Sequence, residues 1–429
     1  MKSDIIRLLP DAVANQIAAG EVIQRPASAL KELLENAIDA GATDIKIRVK
    51  DAGKTLIQVS DNGCGMSAND AKLSFERHAT SKIHEAKDLF AIRTLGFRGE
   101  ALASIAAIAQ VELKTKRIRD ELGTAINIEG SKIKEQSEVS CPDGSNIAVK
   151  NLFFNVPARR NFLKSDSAEL RHILEEFNRV ALVNPKISFT LQHNAKILFQ
   201  LKSGSLKERL IAIFGSLYKE RLIPVEHKTR EVSISGFIGK PEFAKRTKGE
   251  QYFFANGRFI KHAYLHHSVD NAFQELLPKD TYPSYFIFLD LDPKTIDINI
   301  HPTKTEVNFQ NNQIIYVTLR AAIKQSLGKS NITPAIDFEA EHSLDLNPPK
   351  QGEPIKNPFY REESDFNPFD NDQYASFSKG RKQQKTKLDN WERLYEASWP
   401  GENDENAAQQ KLTEINGEAS EDSGPKIIC

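Results

Sequence analysis

The stretch PASALKELLENAIDAGATDIKIRVKDAGKTLIQVSDNGCG, residues 26–65, lays a helix and two strands end to end. Pro26 suits the first turn of a helix, where its missing N–H is not needed. Ala29, Leu30, Leu33, Leu34, Ala37 and Ile38 recur at three- and four-residue spacing, an apolar stripe along one helical face. Gly41 closes the helix, because glycine accepts the left-handed conformation found at helix ends. The next segment, DIKIRVKD, alternates, with Ile45, Ile47 and Val49 on one face. After a turn at Ala52-Gly53-Lys54, a second strand starts at Leu56-Ile57-Gln58-Val59. A helix with one apolar stripe beside strands with one apolar face is the unit of a layered α/β fold.

The same mixture continues along the chain. A helix is expected over 100–109, with strands around 145–150 and 187–201. Together these give an α/β (α+β) sandwich over 1–204, with helices covering one face of a sheet. A second unit is expected over 205–330. It holds a helix at 206–214, strands near 231–238 and 250–255, and a helix near 264–277. The apolar run Tyr285 to Leu291, a strand Ile296 to Ile300 and a helix over 312–327 complete it. From about 331 the sequence turns polar and rich in Pro, Asn and Gln, as in NPPKQGEPIKNPF and GENDENAAQQ. Residues 331–429 are therefore read as an acidic, mainly disordered tail.

Hydrophobic residues make up 40% and charged residues 27% of the 429, the balance of a water-soluble globular protein. No apolar run reaches about 18 residues, so no membrane span is expected. The N-terminus lacks a basic stretch followed by an apolar core, so no signal peptide is expected and the compartment is read as cytoplasmic. Cys64, Cys141 and Cys429 fit neither a zinc site nor a disulfide framework. Net charge is zero, but residues 331–429 carry 11 Lys and Arg against 20 Asp and Glu. Residues 1–330 are correspondingly basic, which points to a polyanionic partner for the body or to a tail that merely solvates itself.

Several motifs could carry chemistry. Glu32 and Asn36 stand one turn apart on one helical face. A carboxylate there can polarise a water, and the amide oxygen is a hard ligand suited to magnesium. Glu35 and Asp39 repeat the spacing, so helix geometry alone does not choose between the pairs. The turn Asp61-Asn62-Gly63-Cys64-Gly65 follows a strand; Asp61 can accept from an exocyclic amine, and Gly63 and Gly65 permit close backbone approach. Such a turn is also an ordinary hairpin. Thr94-Leu95-Gly96-Phe97-Arg98-Gly99-Glu100 is a glycine loop running into a helix, where backbone N–H groups can hold phosphates. It equally fits a plain helix start, and it is not a GxxxxGK[ST] loop. Just before it, Thr80 and Lys82 supply a hydroxyl and a cation, while His78 has no evident nucleophile or metal partner. Ser145 can place a hydroxyl near a base, and Lys304 can reach a terminal phosphate from the second unit.

In order along the chain, NQIAAGEVIQRPASALKELLENAIDAGAT (15–43), DNGCGM, RHATSKI, GFRGEAL, LFFNVPARRNFL, the Asn256-Gly257-Arg258 turn and NIHPTKTEV resemble the signatures of the MutL family of DNA mismatch repair proteins. The likeness covers about residues 5–328. It implies a GHKL (Bergerat) ATP-binding domain, of the kind shared with gyrase, heat-shock chaperones and histidine kinases. A ribosomal S-five domain-two-like α/β domain would follow it. By this resemblance Glu32 is the general base for the attacking water, Asn36 binds magnesium, and Asp61 reads adenine beside Gly63 and Gly65. Gly96, Phe97, Arg98 and Gly99 belong to the lid over the triphosphate, Lys82 lies in the loop that orders with it, and Lys304 contacts the γ-phosphate.

The resemblance further implies a slow ATPase that dimerises on binding ATP and binds DNA. It would couple a MutS-type mismatch recognition protein to a downstream nuclease and helicase. Lys164 and Lys261 fall at or near DNA-contact positions of the family. Ala263 is a departure, standing where some relatives carry arginine. A second departure is that neither the family's C-terminal dimerisation domain nor its DQHAxxER nuclease motif is visible. No nuclease activity and weak constitutive dimerisation are therefore expected of this chain.

Overall fold

The computed structural model describes residues 9–83, 85, 94–96, 98–297 and 307–330. The segment read as an acidic tail, 331–429, lies outside the described residues. The first half contains α1 (Asp11–Val22), α2 (Pro26–Asp39), β1 (Asp44–Lys50), β2 (Leu56–Asp61), α3 (Ala68–Leu73) and α4 (Ala101–Ile108). It continues with β3 (Gln110–Lys116), β4 (Gly123–Glu129), β5 (Lys132–Val139), β6 (Gly144–Lys150), α5 (Pro157–Phe162), α6 (Asp166–Val183), β7 (Ser188–His193) and β8 (Lys196–Leu201). The eight strands form one sheet in the order β5-β4-β3-β6-β2-β1-β7-β8. All its pairs are antiparallel except β1 with β7.

The alternation read in β1 holds. Ile45, Ile47 and Val49 are buried while Lys46, Arg48 and Lys50 face water. Leu30, Leu33 and Leu34 of α2, Ile105 and Ile108 of α4, and Ile173 and Phe177 of α6 share one core with the strand residues. Fully burying a side chain such as Leu34 or Phe177 contributes about 1.5–3 kcal/mol. Helices thus cover one face of the sheet, as the sandwich reading expected.

The second half contains α7 (Leu206–Phe214), α8 (Tyr218–Arg221), β9 (Leu222–Lys228), β10 (Val232–Gly239), β11 (Gln251–Ala255) and β12 (Arg258–Ile260). Next come α9 (Ala263–Phe273), β13 (Tyr285–Leu291) and α10 (Asn312–Lys329). Its sheet runs β12-β11-β13-β10-β9, with β11 and β13 parallel. β13 reads as a continuous apolar run because both of its faces are covered. Tyr285, Ile287 and Leu289 pack under α9 and α10. Phe286 packs on the other side with Leu210, Tyr218, Tyr252 and Phe254. The helix expected over 264–277 ends at Phe273, although Leu276 and Leu277 still pack on the core and donate their amides to the Phe273 carbonyl. α7 begins with a capping box, in which Ser205 and Glu208 satisfy each other's backbone amides.

Candidate nucleotide site

α2 carries the first part of the site. Its apolar stripe lies on the sheet, which turns Glu32, Asn36 and Asp39 toward its other side. Lys31 Nζ lies 3.3 Å from Glu32 Oε1 and 2.9 Å from Glu35 Oε1. Burial pulls the Lys31 ammonium pKa down, but Glu32, Glu35 and Glu176 outweigh that and hold it above the ordinary lysine value. Of the two pairs that spacing left open, Glu32 with Asn36 and Glu35 with Asp39, it is Asp39 that binds the chain itself. It accepts from the Leu95 amide at 2.9 Å, the Gly96 amide at 3.0 Å and Lys82 Nζ at 2.6 Å. Lys82 Nζ also donates to Asn36 Oδ1 at 3.1 Å. Asn36, Asp39, Lys82 and Gly96 therefore form one cluster, joined across more than 40 residues of chain.

Gly96 sits where a Cβ would stand 3.1 Å from Lys82 Nζ and 3.8 Å from Asn36 Oδ1. Gly99 has φ +64°, and a Cβ on it would lie 2.3 Å from the Ala79 carbonyl oxygen. His78 donates its amide to the Gly99 carbonyl at 3.1 Å, so RHATSK and GFRGEA are docked to each other directly. His78 has φ +62° and an exposed ring 3.5 Å from Glu100. Thr80 Oγ1 accepts from the Lys82 amide at 3.2 Å and shapes that turn. Arg98 is exposed beside Gly99, and α4 begins two residues further on. Phe97 lies outside the described residues.

The second part is the turn after β2. Asp61 Oδ1 accepts from the Gly63 amide at 2.9 Å and the Ser145 amide at 3.3 Å. Burial raises the Asp61 carboxyl above its ordinary value, and these two N–H groups offset part of the shift. In the sequence, Gly63 and Gly65 permit close backbone approach. Within the chain itself, a Cβ on Gly63 would lie 2.8 Å from the Ala40 oxygen, and one on Gly65 2.1 Å from the Lys116 oxygen. The glycines thus let the turn pack between the end of α2 and β3. Asn62 helps pin it, accepting from the Thr43 and Asp44 amides at 2.8 and 2.9 Å.

Thr115 is a residue that sequence reasoning missed. Its buried hydroxyl donates to the Gly144 oxygen at 3.0 Å, lies 2.9 Å from the Ser145 hydroxyl, and accepts from the Met66 amide at 2.9 Å. It links both sides of the Asp61 turn. No spacing signal could have found it, because register between β3 and β6 brings it there.

Lys304, the expected phosphate contact from the second half, lies outside the described residues. Arg258 of β12 does reach the site, donating to the Thr94 oxygen at 2.6 Å. Of the DNA-contact candidates, Lys164 is exposed at the end of α5, where its amide donates to Glu169 Oε1 at 3.1 Å. It lines a cleft of about 250 Å³ with Arg25 and Arg159. Lys261 is exposed just after β12.

Two families match the sequence. One, described as histidine kinase-, DNA gyrase B-, and HSP90-like ATPase, covers residues 24–153. The other, described as DNA mismatch repair protein, C-terminal domain, covers residues 210–328. The DNA mismatch repair protein MutL of Flavobacterium psychrophilum is 57% identical over 394 residues, 92% of this chain and 64% of that protein. The MutL of Phocaeicola vulgatus is 52% identical over 428 residues, 96% of this chain and 68% of that protein. The chain thus spans less than two thirds of the length of the first of these relatives. A solved N-terminal domain of a DNA repair protein matches 75% of this chain and 99% of its own length with a TM-score of 0.65. At 23% identity that likeness is one of fold.

Proposed function

The chain belongs to the MutL family of DNA mismatch repair proteins, and from that membership we propose that it is a slow, magnesium-dependent ATPase acting as a switch in mismatch repair. The observation that carries the reading is the joining of Asn36, Asp39, Lys82 and Gly96 on one side of α2, with the half-buried Asp61 turn at its C-terminal end. A half-buried carboxylate suits the amine edge of adenine, and amide groups at a glycine loop suit phosphates.

Each group has a role in this reading. Asp61 accepts from the adenine amine, with the Thr115 and Ser145 hydroxyls shaping the same end of the pocket. Gly96, Arg98 and Gly99 cover the phosphates, with Phe97, and Lys82 neutralises charge beside them. Glu32 takes a proton from the attacking water as the water oxygen bonds to the γ-phosphorus and the bond to ADP breaks; Lys31 stands 3.3 Å from its carboxylate. Lys304 would add a cation at the same phosphate. Phosphoryl transfer needs little beyond such positioning and charge neutralisation.

Magnesium fits the donor set. It keeps several waters and takes phosphate oxygens, so the single amide oxygen of Asn36 is a sufficient protein ligand. Among the described residues no cluster of three His, Cys, Asp or Glu offers a rival cage. When bound, the ion would offset charge on the phosphates.

ATP binding would then drive homodimerisation, and the dimer would grip DNA. Lys164 with Arg25 and Arg159, and Lys261, are the cations proposed to meet DNA phosphates, which makes binding salt-dependent and largely independent of sequence. The basic balance of residues 1–330 supports this. The partners are a MutS-type recognition protein and a downstream nuclease and helicase, in the cytoplasm. No helix among the described residues is long and apolar enough to cross a membrane.

The test is Glu32→Ala. ATP binding should persist while hydrolysis falls by about a hundredfold or more, the usual contribution of a general base. Undiminished turnover would remove Glu32 from the reaction.

A further inference from the structure

Behind α2, five charged side chains from three elements meet: Lys31 and Glu35 of α2, Glu176 and Arg179 of α6, and Arg258 of β12. They line a cavity of about 40 Å³. That is room for a water or so, not for a ligand. The cluster therefore acts between elements of the chain, and Arg258 is the member that crosses from the second sheet to the nucleotide site.

One end of that crossing is rigid. Asn256 clamps the last residue of β13, donating to the Leu291 oxygen and accepting from the Leu291 amide, both at 2.9 Å. Its own amide donates to the Leu289 oxygen at 2.9 Å. Next to Arg258, the Phe259 ring lies under the Arg179 guanidinium at 4.1 Å. The turn 256–258 consequently moves with the second sheet. The other end is Thr94–Gly96. Its Leu95 and Gly96 amides are held by Asp39 of α2, and Thr94 Oγ1 donates to the Gly96 oxygen at 2.7 Å. The Thr94 oxygen takes the Arg258 bond at 2.6 Å, from a partner 164 residues away. So the N–H groups of this short segment are tied to α2 and a carbonyl to the second sheet. Glu35, Asp39 and Glu32 surround the guanidinium with opposite charge and partly offset the cost of burying it.

We propose that Arg258 is a positioning residue through which the second sheet sets the place of Thr94–Gly96 against α2, and with it the phosphate side of the nucleotide site. This rests on the ATPase reading. It adds a contact from the second sheet to the loop backbone.

Arg258→Met and Arg258→Lys in the full chain test it, with amide hydrogen exchange and ATP kinetics as readouts. Loss of a charge-assisted hydrogen bond shifts a local equilibrium by about tenfold or more. In Arg258→Met, exchange at Leu95 and Gly96 should accelerate about tenfold, and KM for ATP should rise about tenfold with kcat within about threefold of wild type. Amides in β3 and β6 should exchange as before. Arg258→Lys, which keeps the charge and a donor, should recover part of both effects. Wild-type exchange at Leu95 and Gly96 overturns the proposal. So does acceleration spread equally over β3 and β6, or an unchanged KM. If the wild-type protein hydrolyses no ATP, the ATPase reading fails, while the exchange at Leu95 and Gly96 still decides whether Arg258 holds the loop.

Discussion

Asp61 ends β2 with its carboxylate partly withdrawn from water, so it titrates above an ordinary aspartate. Two consequences run in opposite directions. A carboxyl whose pKa is higher folded than unfolded binds its proton more tightly in the folded protein. Its contribution to stability is therefore complete below the unfolded value and lost as pH rises through the folded one. In the proposed reading the adenine contact needs the ionised acceptor, so nucleotide binding should weaken as pH falls through that same raised value. Calorimetric titration with ATP from about pH 7 to about pH 4 should show affinity falling at a pH higher than an ordinary carboxylate would produce. In Asp61→Asn, affinity should be about tenfold to a hundredfold weaker at neutral pH, and this part of the pH dependence should vanish. Equal slopes in the two proteins would show that Asp61 does not titrate at the nucleotide. Asp61 could be picked out in the sequence because an aspartate and two glycines directly follow a strand. Thr115, its neighbour across the sheet, could not, because an isolated threonine in a strand looks the same wherever it packs.

At the level of elements, the spacing in α2 placed Glu32 and Asn36 on one face but offered Glu35 and Asp39 equally. Lys31 meets both Glu32 and Glu35, so what separates the pairs is Asp39, whose carboxylate is taken up by the Leu95 and Gly96 amides. Those partners come from another turn of the helix or from far along the chain, where periodicity carries no information. Glycines pose the same problem. Gly41 and Gly65 both have left-handed backbones, at φ +74° and +64°, and both could be read as turn formers. A Cβ on Gly41 would meet nothing within 4 Å, whereas on Gly65 it would stand 2.1 Å from the Lys116 oxygen. Gly41→Ala should therefore cost only the conformational strain, about 1–2 kcal/mol. Gly65→Ala should add about 1–3 kcal/mol of overpacking against the end of β3. Urea unfolding of the two variants measures the difference directly. Equal losses would mean that the turn yields to the extra methyl and is not held between α2 and β3.

Across the whole molecule, the alternation of helix and strand patterns anticipated both layered halves, because each buries a face whose period is visible in the sequence. The tie between the halves had no such signature. Arg209 of α7 is 2% exposed, yet among the described residues its guanidinium meets no carboxylate. It donates to the backbone oxygens of Ala181, Pro185, Ile187 and Lys202, and lies over the Phe189 ring at 5.3 Å. Carbonyl groups occur at every residue, so nothing in the sequence marks these four as its partners. Burial pushes the Arg209 pKa down to about 10, which still leaves it charged at neutral pH. The planar, multiply donating head fastens the first residues of the second half to the end of α6 and to the strands beside it. Arg209→Met keeps much of the side-chain volume but leaves those oxygens without their donor. Its cost should be about 2–4 kcal/mol, read as a lower urea midpoint. Arg209→Lys, with a compact ammonium in place of the fork, should recover less than half of that loss. If lysine restored the midpoint fully, charge alone would hold the halves together and the four-carbonyl geometry would be incidental. Full recovery should not occur, because an ammonium has three donors and cannot reach oxygens contributed by α6, the α6–β7 connection and the end of β8 from one position.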